Sequence, residues 1–154
     1  AGAMFTSLVQ QKAYATARPI TGLAGVDTYN IYGTLLEGAN AILTNSYFPG
    51  VVKGKAATAI AADYAKAGKT QDLFTSTGVN AAQMIIAAVK GNPNLDVEKM
   101  ITTLESLSFV GLTGLTKVNK ANHTLIQSMF LTKLTKVNGR YVPSLVSTLY
   151  NVKV

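Results

Sequence analysis

The chain has 154 residues, of which 48% are hydrophobic and 14% charged, enough apolar material to bury one ordinary core and too much for a disordered tail. Fourteen basic residues against seven acidic give +7, but the lysines are scattered and no arginine-rich, aromatic-interleaved stretch offers stacked bases a platform, so nucleic acid is not expected as a partner. With no cysteine there is no disulfide framework and no thiolate chemistry.

Residues 3–13 place Met4, Leu8 and Val9 near one helical face and predict an amphipathic helix. Pro19 to Leu23 reads as a short extended piece ending in the turn Gly22-Leu23-Ala24-Gly25, after which Asp27 or Thr28 is positioned to cap a helix through Tyr32. Ala39 to Phe48 reads as a buried strand stopped by Pro49-Gly50. Two alanine-rich stretches, 54–67 and 79–89, predict helices because alanine loses no side-chain entropy there. Gly91-Asn92-Pro93-Asn94 breaks the pattern, and Asp96 is the expected N-cap of a third helix over 97–107.

After Phe109 the chain turns Thr- and Val-rich, which favours strands. Asn138-Gly139 between two extended runs predicts a hairpin on a type I′ turn, and Pro143 confines its second strand to an edge or an irregular pairing. The longest apolar runs, such as 81–89, fall well short of the roughly 20 residues that cross a bilayer. The chain starts at Ala1 without a leader, which reads as processing or excision.

Residue types suited to catalysis are sparse. The single histidine, His123, has no second histidine or cysteine to complete a zinc set and is expected to face solvent or cap a turn. Asp63, Glu98 and Glu105 are expected to be solvated helix-face charges, and Gly111-Leu112-Thr113-Gly114 is too short to cradle phosphate. No nucleophile elbow or nucleotide fingerprint is present, so an enzyme is not expected. Tyr29, Tyr32, Tyr47 and Phe48 form an aromatic set that suits either core packing or a ligand cleft.

Three passages carry a family resemblance. Residues 74–84 (FTSTGVNAAQM) resemble a helix start "F-x-x-x-G-Y-D-A-A-Q-M"; residues 104–114 (LESLSFVGLTG) resemble "L-E-x-L-x-F-x-G-x-T-G"; residues 127–131 (QSMFL) through 138–143 (NGRYVP) resemble a closing hairpin. In this order they are similar to the C-terminal half of leucine/isoleucine/valine-binding-type, or type I, periplasmic solute-binding proteins. That resemblance implies an α/β architecture of two parallel-sheet lobes flanked by helices, with residues 1–47 and 108–154 in one lobe, 50–106 in the other, and crossings near 47–50 and 109–114. It further implies an extracytoplasmic receptor of an ABC importer, lipid-anchored in some full-length forms, that needs no cofactor. Its partners would be an amino acid or related small polar solute, a membrane permease, and the missing N-terminal half or a second copy.

By the same resemblance Leu23, Ala24, Gly25 and Asp27 are the expected ligand contacts. Ala24 stands where amino-acid binders carry a glutamate, so either Asp27 replaces it or the solute is not a free α-amino acid. A stand-alone flavodoxin-like α/β enzyme and a basic nucleic-acid-associated protein are the alternatives. Salt dependence of binding separates the latter.

Overall fold

The computed structural model describes residues 2–22 and 25–153, with side chains throughout except at residues 26–28. Helix α1 (Gly2–Gln10) is followed by a 3-10 turn, Ala13–Ala15, then strand β1 (Ile20–Thr21), helix α2 (Val26–Gly38) and strand β2 (Ile42–Asn45). Helices α3 (Lys55–Lys66), α4 (Leu73–Val89) and α5 (Val97–Glu105) occupy the middle. Strands β3 (Ser108–Gly111), β4 (Gly114–Val118), β5 (Leu125–Val137) and β6 (Arg140–Val152) complete the chain.

Among the described strands β1 and β2 run parallel, and every other pairing is antiparallel. The strand order is β1-β2-β5-β4-β3, with β6 paired to β5 alone. The class is α/β, as expected. Helix α2 packs on β5 and β6 and meets α1, whereas α4 packs on α5 and β3. The 13-residue β5 is the element common to both groups, pairing with β4 at Leu125 and Ile126 and with β2 from Phe130 to Thr132.

Local chemistry accounts for the element ends. Asp72 caps α4 through a reciprocal box in which its backbone N–H donates to Thr75 Oγ1 at 3.1 Å, so this helix starts before its alanine-rich part. Asp96 caps α5, accepting from Lys99 N at 3.1 Å, and Asn92 latches the preceding loop through two bonds with the Asp96 backbone. Asn138 and Gly139 take φ of 49° and 80°, the two left-handed positions of the type I′ turn, and Val137 opposes Arg140. Pro143 sits in register opposite Leu134 on an edge strand; the irregularities of pairing fall at Gln127/Met129 and Leu131/Thr132 instead.

Three expectations need correction. The segment 39–48 contributes only four strand residues, because Ala39 and Asn40 still close α2: Ala39 N–H bonds Leu35 O, and Asn40 takes a left-handed φ of 47°. Helix α2 is capped by the extended backbone of Gly25, which places Asp27 and Thr28 inside its first turn, and it runs six residues beyond Tyr32. Glu105 is no isolated helix-face charge. It ends α5 beside the turn before β5, with Oε1 3.1 Å from His123 Nε2 and Oε2 3.2 Å from Lys120 Nζ.

These partners, His123 first and Lys120 second, hold the Glu105 carboxyl below its ordinary range. A depressed carboxylate contributes stability above its unfolded pKa and loses it as pH falls through the lower folded value. Glu105→Gln is therefore expected to lower stability modestly in the neutral region and to leave it nearly unchanged at the acid end, so that the acid limb is shallower. Melting temperatures across an acid-to-neutral pH series check this, and identical acid limbs would refute it.

The core lies between α1, α2 and the sheet, where Phe5, Leu36, Ala39, Ala41, Leu43 and Leu134 are buried together. Burial of this kind is the main favourable term in folding. Under α4 the contacts are more polar: Asn80 donates to Thr113 Oγ1 at 3.3 Å, and Thr113 and Thr116 hydroxyls lie 2.9 Å apart. The 111–114 stretch is thus a tight β3–β4 turn, with Leu112 and Thr113 buried against the protein.

Candidate functional site

A pocket of about 350 Å³ opens where four segments meet: Tyr29 and Asn30 of α2, Tyr47–Pro49 after β2, Thr70–Leu73 leading into α4, and Arg140–Pro143 at the start of β6. Its size is within the range of small-molecule sites. Each aromatic wall is held by a neighbouring side chain. Tyr29 hydroxyl donates to Asn45 Oδ1 at 3.3 Å, and Asn45 Nδ2 in turn donates to Thr132 Oγ1. Tyr47 hydroxyl donates to Gln71 Oε1 at 2.7 Å, and Phe48 sits edge-on to Phe130 with centroids 6.1 Å apart.

Burial, reinforced by the charge of Asp72, pushes the Tyr29 hydroxyl up to about 12. Tyr47 is raised as well, by burial first and Tyr64 second. Both phenols stay protonated at neutral pH and serve as donors. Gln71 Nε2 is buried without a partner among the described residues, while the Oε1 of the same amide is occupied by Tyr47. Asp72 Oδ1 accepts from Phe74 N at 2.9 Å, and its Oδ2 lies 3.8 Å from the point a Cβ on Gly25 would occupy.

Of the expected ligand contacts, Gly25 therefore adjoins the pocket through Asp72. Leu23 and Ala24 lie outside the described residues, and so does the side chain of Asp27. Within the aromatic set Tyr29, Tyr47 and Phe48 line the pocket, Tyr29 is at the same time part of the main core, and Tyr32 packs against that core away from the pocket. Core packing and pocket lining both occur in that set, and Tyr29 does both. Gln71, Asp72 and the 140–143 wall escaped sequence reasoning. Asp72 alone carried a local signal, its place three residues before Thr75 at a helix start.

Among the described residues no group of acidic residues and histidine gathers into a metal set, and no helix is long and apolar enough to cross a membrane. The pocket combines apolar rings, fixed hydroxyls and one carboxylate, the mix of surfaces typical of small-molecule pockets. The class defined by the fold is an α/β protein with helices packed on a mixed sheet. Residues 3–139 match the family model for periplasmic binding proteins, and the chain belongs to that family.

No curated protein matches it by sequence. Among solved structures it is similar to an ABC-type branched-chain amino acid transporter from Rhodopseudomonas palustris, with TM-score 0.75 and 23% identity over 87% of this chain and 36% of that one. An amino acid ABC transporter substrate-binding protein from Pseudomonas fluorescens gives TM-score 0.79 and 15% identity, covering 97% of this chain and 41% of that one. A solute binding protein of an ABC transporter from R. palustris, in complex with p-hydroxybenzoic acid, gives 0.73 and 14%, covering 94% and 40%. The chain thus spans well under half the length of these structures, which share its fold.

Proposed function

We propose that the chain serves in the extracytoplasmic solute-binding component of an ABC importer, binding an amino acid or related small polar solute without turnover. The observation that carries this reading is the family match over residues 3–139, joined to a pocket where segments from both helical groups converge. In it residues 1–47 and 108–154 contribute to one lobe and 50–106 to the other, with the solute held between them near Gly25 and the flanking Leu23, Ala24 and Asp27. Solute free energy then favours the closed arrangement, which is the form a membrane permease reads.

Exposed apolar side chains on the middle helices support a covering polypeptide, either further lobe structure or a second copy. Ile85 and Ile86 of α4 and Val97 of α5 are each at least 60% exposed. The function is tested by isothermal titration of the chain with L-leucine, L-phenylalanine and 4-hydroxybenzoate. Saturable binding of at least one, with the solute recovered unchanged, is expected. Heats indistinguishable from dilution for all three would defeat the reading.

A further inference from the structure

The pocket is lined by one carboxylate, that of Asp72. Basic residues outnumber acidic ones fourteen to seven, yet Asp72 has no ion pair. Among the described residues the ion pairs all belong to Glu105. Asp72 is half-buried, and the one basic side chain lining the pocket, Arg140, is exposed and forms no ion pair with it. The carboxylate caps the start of α4 and stands at the pocket wall beside apolar rings, where a carboxylate attracts a cation.

The carboxylate is also held in place. Asp72 is fixed by its cap to Phe74 N and by the bond from its backbone N–H to Thr75 Oγ1. The rings around it are fixed in turn, Tyr29 by Asn45, Tyr47 by Gln71 and Phe48 by Phe130. A ligand meeting such walls loses little to ordering them. Aromatic faces add attraction for an organic cation that neutral apolar walls lack.

We propose that the pocket takes an organic ammonium solute with an apolar or aryl body, with Asp72 as its counter-ion and Tyr29, Tyr47 and Phe48 as its walls. This rests on the solute-binding reading and narrows it to amine-bearing solutes. Specificity then comes from the segment before α4 rather than from the turn before α2. The charge of Asp72 that disfavours ionisation of Tyr29 acts in the same space and favours the ammonium.

The test is titration of the full chain, parent and Asp72→Asn, with 2-phenylethylamine and 3-phenylpropanoate, which share an aryl body and differ in charge. Asparagine is as good an N-cap as aspartate, so α4 is retained, and a melting curve checks this. The parent is expected to prefer the amine. Asp72→Asn is expected to weaken amine binding at least tenfold while the acid binds as well as before or better, because a like charge beside it is removed. Preference of the parent for the acid, or amine binding unchanged in Asp72→Asn, overturns the proposal. If that happens while L-leucine or 4-hydroxybenzoate still binds saturably, the solute-binding reading survives alone; if no probe binds at all, both fall.

Discussion

Replacing Asn45 with alanine is expected to cost about 3 kcal/mol of folding stability, read as a lower urea midpoint at constant slope. Asn45 and Thr132 are each 0% exposed, and Tyr29 is 5% exposed. The asparagine accepts from the Tyr29 hydroxyl and donates to Thr132 Oγ1, which itself donates to Leu43 O at 3.3 Å. Alanine leaves a buried phenol without an acceptor and opens a small void, and each contributes on the order of 1–3 kcal/mol.

Thr132→Val in the parent is expected to cost about 1–2 kcal/mol, because it strands the Asn45 amide donor and removes the hydroxyl bond to Leu43 O. In the Asn45→Ala background it should cost markedly less, since that donor is already gone. Strict additivity of the two substitutions would show that the pair does not act as a unit. Because Tyr29 is a pocket wall, Asn45→Ala is also expected to weaken solute binding. This effect would travel through the position of the ring and leave the parent's solute preference intact.

Gly33→Ala is expected to destabilise by about 2 kcal/mol, opposite in sign to helix propensity, which favours alanine over glycine by about 1 kcal/mol. Gly33 is buried in α2, and a Cβ there would overlap the ring of Tyr141. That ring cannot swing away cheaply. Its hydroxyl donates to Glu37 Oε2 at 2.9 Å and lies 3.2 Å from Thr34 Oγ1, and Lys136 Nζ stands 5.7 Å from its centroid. In a Tyr141→Ala background the overlap is absent, and Gly33→Ala should become stabilising by up to about 1 kcal/mol. A stabilising Gly33→Ala in the parent chain would show that Tyr141 does not pack as described.

Local signals were legible where one residue type has one physical use. Asn138-Gly139 supplied two left-handed positions and gave the hairpin; Asp96 gave a cap; alanine content gave the middle helices. The short strand at 42–45 was overestimated because an apolar run does not show where the preceding helix lets go. Ala39 and Ala41 are as apolar as a strand residue but are buried under the end of α2. Glu105 read as solvated because its partners His123 and Lys120 lie across a turn that sequence spacing does not bring to it.

The candidate pocket was half visible. Tyr29, Tyr47 and Phe48 stood out as an aromatic set, but whether a ring faces core or cavity depends on which segments oppose it. Tyr29 serves both the core and the pocket, while Tyr32, one helical turn on, packs against the core alone.

By itself the sequence determined the α/β class, the Asn138-Gly139 turn, the Asp96 cap and, through three spaced motifs, the family. Those depend on the dihedral and hydrogen-bonding preferences of neighbours in the chain. Only the tertiary structure decided that Gly33 yields space to Tyr141, that Asn45 joins Tyr29 to Thr132, and that Asp72 faces Gly25. These pairs lie 108, 16, 87 and 47 positions apart, as their numbering shows. Their meeting follows from how sheet and helices pack, which no short-range preference encodes.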